Sequence, residues 1–162
     1  MWGAQSIRGT FRGIGAFVVV LLVAIGVVGY LVTRPPSTNL DAEDRAWMQN
    51  TESWVDTTER RVDTAITGLT FESEARNAEL IEPLATCSTS LLRLGKPSSE
   101  LLSPVLEAAQ DACGRAEHAV GVNDAYGTAS LATTRLHLSE AGDRLELARR
   151  NLREVRSEVT SD

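Results

Sequence analysis

The chain has few of the residues that carry most enzymatic and metal chemistry. Its 162 residues include two cysteines, two histidines, three tryptophans, two tyrosines and three phenylalanines. The cysteines do not form the Cys-x-x-Cys motif that lowers a thiol pKa, and the cysteines and histidines lack the close paired spacing of zinc ligands. No serine stands in a Gly-x-Ser-x-Gly turn. The sequence therefore predicts no catalytic, metal or cofactor-binding residue, and we do not expect an enzyme.

Lysine is almost absent, and this leaves a chain that is acidic and rich in arginine. Lys96 is the only lysine among 16 basic residues, and the net charge is −6. Such arginine usage is typical of a GC-rich bacterial genome. Without Arg8 and Arg12, 14 basic residues face 22 acidic ones, so the rest of the chain carries −8. This excess of negative charge disfavours a nucleic-acid partner and flat adhesion to anionic lipid.

Charged residues are also missing from one long segment near the N-terminus. Residues Ile14 to Thr33 are uncharged and lie between Arg12 and Arg34. As a helix this segment spans ~30 Å, the thickness of a bilayer's hydrocarbon core. It predicts a single transmembrane anchor over 14–33. A cleaved signal peptide is the alternative, but its apolar region is roughly 7–15 residues and ends in small residues, whereas this one ends in YLVTRPP.

The charges beside this segment predict its orientation. Arg8 and Arg12 precede it without any acidic residue, whereas acidic residues follow Arg34 from Asp41 onward. Basic residues close to a span stay cytoplasmic, so the N-terminus is expected inside. The predicted parts are a cytoplasmic tail (1–13), the anchor (14–33), a proline-rich joint (34–40) and an extracytoplasmic domain (41–160).

The hydrophobic pattern of the outer domain is helical throughout, without the alternation of a strand. Helices are predicted over 41–68, 70–94, 103–120 and 124–158. Pro83 is expected to kink the second helix or to mark its true start. The apolar stripe of that helix comprises Phe71, Ala75, Ala78, Leu80, Ile81, Leu84, Cys87, Leu91 and Leu94. Short joints between them favour an all-α, antiparallel, up-down four-helix bundle. A long two-helix coiled-coil hairpin, 41–95 against 103–158, and a three-helix version with the first two helices fused are the alternatives. In the last helix, apolar residues recur every seven positions and form a coiled-coil seam: Leu131, Leu138, Leu145, Leu152 and Val159.

The two cysteines are placed for a disulfide. Cys87 and Cys113 lie equally far from Glu100, near the centre of the joint between their predicted helices. In an antiparallel pair of helices they would face each other at the same height, and the outer compartment is oxidising. We predict a Cys87–Cys113 bond, with two buried free thiols as the alternative.

Two further groups of side chains have two interpretations each. Trp47 and Trp54 share one helix face, so they either pack in the core against the last helix or form an exposed aromatic strip that binds a partner or the lipid interface. The arginines near the C-terminus either pair with acidic residues across helices or touch lipid headgroups: Arg149, Arg150, Arg153 and Arg156. The histidines, His118 and His137, have no acidic or cysteine partner at metal-ligand spacing and are expected at solvated or core-edge positions.

Together these patterns predict a single-pass membrane protein of the bacterial cell envelope that acts as a scaffold. The coiled-coil seam and the tryptophans would offer surfaces to a protein partner or a second copy. The alternative is ligand sensing, because four extracytoplasmic helices resemble the sensory domains of chemoreceptors and some histidine kinases. That resemblance is architectural and would need a separate transducing subunit. No motif indicates a small-molecule ligand.

Overall fold

The computed structural model describes residues 40–160 of the chain. The predicted cytoplasmic tail, the anchor over 14–33 and all but the last residue of the joint lie outside these residues. Within 40–160 the protein is all-α, since 86% of the residues are helical and none is in a strand.

Three long helices dominate this domain. They are α1 (Ala42–Gly68), α4 (Ser103–Tyr126) and α5 (Leu131–Val159). Two short helices, α2 (Glu74–Ile81) and α3 (Cys87–Leu92), follow α1. Turns of 3₁₀ helix cover Glu82–Leu84, Glu100–Leu102 and Gly127–Ser130.

The second predicted helix, 70–94, is broken into α2 and α3 at Pro83, where a kink is expected from the sequence. Pro83 lies in the 3₁₀ turn between them, because proline lacks the amide donor that a continuous helix needs. The start also differs from the prediction, since Ser73 rather than Thr70 caps α2. The backbone of Thr70 is instead hydrogen-bonded to the Asn77 side chain. The Thr70 N–H donates to Asn77 Oδ1 (2.9 Å), and Asn77 Nδ2 donates to the Thr70 carbonyl (2.6 Å).

The predicted break at 121–124 is also wrong, because α4 continues through Gly121 to Tyr126. A glycine inside a helix costs only about 1 kcal/mol, and the buried Ala119, Val120 and Asn123 lie on the face that continues past it. The helix ends at Gly127, whose φ of +53° is strained for other residues. A Cβ at Gly127 would also collide with the Glu74 carboxylate.

Successive segments run antiparallel, as their cross-contacts show. Along α1 and the segment after it, Trp54 contacts Ser90 and Trp47 contacts Gly95. Along α4 and α5, the most extensively packed pair, Arg115 contacts Glu140 and Asn151 contacts Pro104. A two-helix hairpin with 41–95 as one arm is therefore not observed, because the chain already reverses after Gly68.

Helix α5 also packs antiparallel on α1, so it has neighbours on two sides. Arg156 near its C-terminus reaches Glu52, and Arg135 near its N-terminus donates to the Leu69 carbonyl. One end of the domain thus contains Leu40 and the end of α5, and we call it the Leu40 end. The distal end contains the Leu69–Ser73 link and the Gly127–Ser130 turn.

The coiled-coil seam of α5 is buried against other helices of the same domain. Its leucines at 131, 138, 145 and 152 are buried, and Val159 is half-buried. Helix α4, which faces this seam, contributes small buried residues: Ala108, Ala112, Ala116 and Ala119. The expectation that the seam offers a free surface is therefore wrong, because burying it against α1 and α4 builds the core.

Candidate functional site

The Cys87–Cys113 disulfide predicted from the sequence is present. It joins the first residue of α3 to the middle of α4, with 5.1 Å between the two Cα atoms. Both cysteines are buried in a small cluster with Leu91 and Ala109. The bond therefore fixes a helix of six residues to a long one.

The two tryptophans of α1 contact the irregular segment. Trp47 is 5% exposed and donates from Nε1 to the Gly95 carbonyl (3.0 Å). Trp54 is half-buried and donates from Nε1 to Ser90 Oγ (2.9 Å). Their indole N–H groups are thus satisfied within the domain, and the rings do not form the exposed strip that the second interpretation requires.

The C-terminal arginines divide into two groups. Arg149 donates to Asp56 (2.7 Å) and to Glu59, and Arg156 donates to Glu52 (2.7 Å). These ion pairs join α5 to α1, as cross-helix pairing predicts. Arg150 and Arg153, in contrast, are exposed and make no ion pair within residues 40–160.

Arg149 is the best-buried cation of these pairs, with 26% of its side chain exposed. Its hydrogen bond to Glu59, and then that to Asp56, raises the pKa of Arg149 above its ordinary value. A base whose pKa is raised in the folded state contributes stability that is fully present below its unfolded-state pKa and is lost as the pH rises through its folded-state pKa. The pairs are therefore expected to contribute equally at pH 6 and pH 9.

We predict that Arg149→Met lowers the free energy of unfolding by about 1 kcal/mol, because two carboxylates on α1 lose their shared partner. The effect should shrink in 1 M NaCl, since salt screens exposed charges. Urea unfolding followed by tryptophan fluorescence measures it. Arg150→Met is the matched control and should change stability by less than about 0.5 kcal/mol. Equal effects of the two substitutions would contradict the pairing.

The two histidines meet across α4 and α5. The ring centroids of His118 and His137 are 4.5 Å apart in an edge-to-face arrangement. His137 Nδ1 lies 3.3 Å from Glu140, which also accepts from Arg115 (2.7 Å). The contact with Glu140 was not predicted, although the three-residue spacing of His137 and Glu140 on one helix indicates it. Within residues 40–160, no three histidine, cysteine, aspartate or glutamate side chains are placed to hold a metal ion together.

A groove of about 690 Å³ lies between α3 and α4, beside the disulfide. Leu91, Leu92 and Leu106 form its apolar wall, and Leu92 is 73% exposed. Lys96 and Glu107 also line it, and neither makes an ion pair within residues 40–160. The remaining lining comprises Ser88, Gly95, Ser103 and Gln110. Sequence reasoning missed this groove, although Leu92 is a leucine outside the predicted apolar stripe.

Large apolar side chains are also exposed toward the distal end. Phe71 in the link after α1 is 73% exposed, and Tyr126 at the end of α4 is 69% exposed. Leu136, in the second turn of α5, is 57% exposed. The sequence placed Phe71 on the apolar stripe of its second helix. That is wrong, because Phe71 precedes α2 and points into solvent.

None of the helices in residues 40–160 is both long and apolar enough to cross a bilayer. Comparison with known proteins identifies no relative: no family model, no curated protein and no solved structure matches the chain.

Proposed function

We propose that the protein is a membrane-anchored interaction module of the bacterial cell envelope. Residues 14–33 are its single span, the N-terminus is cytoplasmic, and the helical domain lies outside the membrane as an up-down bundle. The domain acts through protein–protein contact, with either a partner protein or a second copy. The proposal for the anchor and its orientation is supported by the uncharged segment and the flanking charges.

One observation supports the contact function most directly. Phe71, Tyr126 and Leu136 remain exposed toward the distal end, whereas the α5 seam and Trp47 are buried. Exposed aromatic side chains are typical anchors of protein interfaces. The distal end is also the end of the domain opposite Leu40. Because these three side chains are exposed, a partner in the envelope has access to them.

The test is site-specific photocrosslinking of the full chain in intact cells. Benzophenone side chains are introduced at Phe71 or Tyr126, and at Arg153 as an exposed control near the Leu40 end. We expect one recurrent protein adduct from positions 71 and 126 that is absent from 153, and the adduct at 126 should weaken in Leu136→Ser. Adducts between two copies would identify self-association. The absence of any adduct from both distal positions would refute the contact function.

Ligand binding is the second candidate, and the groove between α3 and α4 favours it. Its volume is within the range of ~300–1,000 Å³ that small-molecule sites occupy, and it combines an apolar wall with a few polar groups. In this case the domain would sense a ligand and signal through a separate transducing subunit.

A further inference from the structure

We infer that the groove between α3 and α4 binds a zwitterionic amphiphile with a single acyl chain, of the lysophosphatidylethanolamine type. The acyl chain lies on Leu91, Leu92 and Leu106. The phosphate of the headgroup contacts Lys96, and its ammonium group contacts Glu107. The inference deepens the ligand-binding candidate and does not depend on contacts at the distal end.

The apolar wall supports an acyl chain as the occupant. Leu92 borders the groove with 73% of its surface in water, while Leu91 behind it is buried. A hydrocarbon chain laid along this wall would remove apolar surface from water. The disulfide beneath the wall holds α3 against α4, so the groove is formed before a ligand arrives. A preformed site avoids the entropic cost of ordering its walls on binding.

The charges of the groove support a zwitterionic headgroup. Lys96 is the only lysine of the chain and Glu107 lies on α4, and both line the same groove. Neither is matched by an opposite charge within residues 40–160. An anionic headgroup would satisfy Lys96 and leave a carboxylate beside its negative charge. A zwitterionic headgroup places a negative charge at Lys96 and a positive charge at Glu107. The groove therefore favours a zwitterionic headgroup over an anionic one.

The groove extends to the Leu40 end of the domain. Gly95 lines the groove and accepts from Trp47, and Ser98 donates to Asp44 (2.8 Å) near the start of α1. These contacts place one end of the groove at the Leu40 end of the domain. The choice of a membrane lipid rests on the anchor of the proposed function, because an anchored domain shares its compartment with a bilayer.

The test uses the full chain reconstituted in phosphatidylcholine nanodiscs. A lysophosphatidylethanolamine with a diazirine in its acyl chain is added, activated by light and located by peptide mass spectrometry. The segment 14–33, which lies in the bilayer in the proposal, is the internal reference. We expect saturable label on 88–110 that excess unlabelled lysophosphatidylethanolamine removes. Gln110→Trp, which fills the groove, should abolish that label, and Gln49→Trp on the exposed face of α1 should preserve it.

Headgroup dependence separates specific binding from simple apolar contact. Lys96→Gln should lower the labelling by lysophosphatidylethanolamine and by lysophosphatidylglycerol about threefold. Glu107→Gln should lower only the labelling by lysophosphatidylethanolamine. Label on 88–110 that is unchanged in Gln110→Trp, or that is indifferent to both charge substitutions, would overturn the inference. A protein adduct from benzophenone at position 110, without lipid label, would also overturn it. The distal adducts at 71 and 126 should be unchanged in Gln110→Trp, so the two proposals fail independently.

Discussion

Replacing Leu138 by alanine is expected to lower the free energy of unfolding by about 2–5 kcal/mol. Leu138 is fully buried in the seam of α5, where it packs in the core shared with α1 and α4. Alanine removes most of this apolar side chain, and the neighbouring helices cannot close the cavity without moving. Urea unfolding of the full chain, followed by tryptophan fluorescence, measures the loss.

Leu136→Ala is the matched control, since it makes the same chemical change two residues earlier on the same helix. Leu136 is 57% exposed, so its truncation removes few contacts and should change stability by less than about 0.5 kcal/mol. Helix propensity favours alanine slightly at both positions and does not account for a difference. If the two substitutions destabilise equally, the α5 seam does not face the core as described.

The second large effect is expected from the disulfide. Cys87 and Cys113 are 26 positions apart, and closing a loop of that size stabilises by about 3.5 kcal/mol in the chain-entropy estimate. The double substitution to alanine should therefore lower the free energy of unfolding by about that amount. Alanine avoids placing a hydroxyl group where the two sulfur atoms are now buried.

The control for this prediction is chemical rather than genetic. Reductant in the unfolding buffer should lower the stability of the native chain toward that of the double variant and leave the double variant unchanged. Tryptophan fluorescence in urea reports both, and a free-thiol assay of the unfolded protein verifies reduction. A native chain that is equally stable with the bond intact and reduced would rule out a stabilising role for the disulfide.

Several features of the fold could be predicted because they depend on neighbours in sequence. The bounds of α1 follow from the Asp41 cap and the spacing of its apolar residues, and the structure places that helix at Ala42–Gly68. The seven-residue repeat of α5 correctly predicts its buried face, in which all four leucines of the repeat are buried. The disulfide was also predictable, because an antiparallel pair of helices brings together residues equally distant from the joint.

Other features could not be predicted, because competing local signals are decided by packing. Gly121 and Gly127 are both glycines near the end of α4, yet only Gly127 ends it. The difference lies in the backbone: Gly127 has a φ of +53°, which ends the helix and is strained for other residues, whereas Gly121 keeps a negative φ and the helix continues through it. Likewise, the Asn77 side chain holds Thr70 and moves the start of α2 to Ser73.

The candidate sites depend even more on tertiary structure. A charge pattern alone does not distinguish Arg149, which pairs with α1, from its exposed neighbour Arg150. The groove requires α3 and α4 side by side with Leu92 left uncovered, and a hydrophobicity pattern does not report which apolar residue lacks a neighbour. The sequence by itself determined the all-α class, the core face of α5 and the pairing of the cysteines, because periodicity and spacing are local. Only the tertiary structure decided where the helices break and which apolar and charged side chains remain unmatched, because those outcomes depend on residues far apart in the chain.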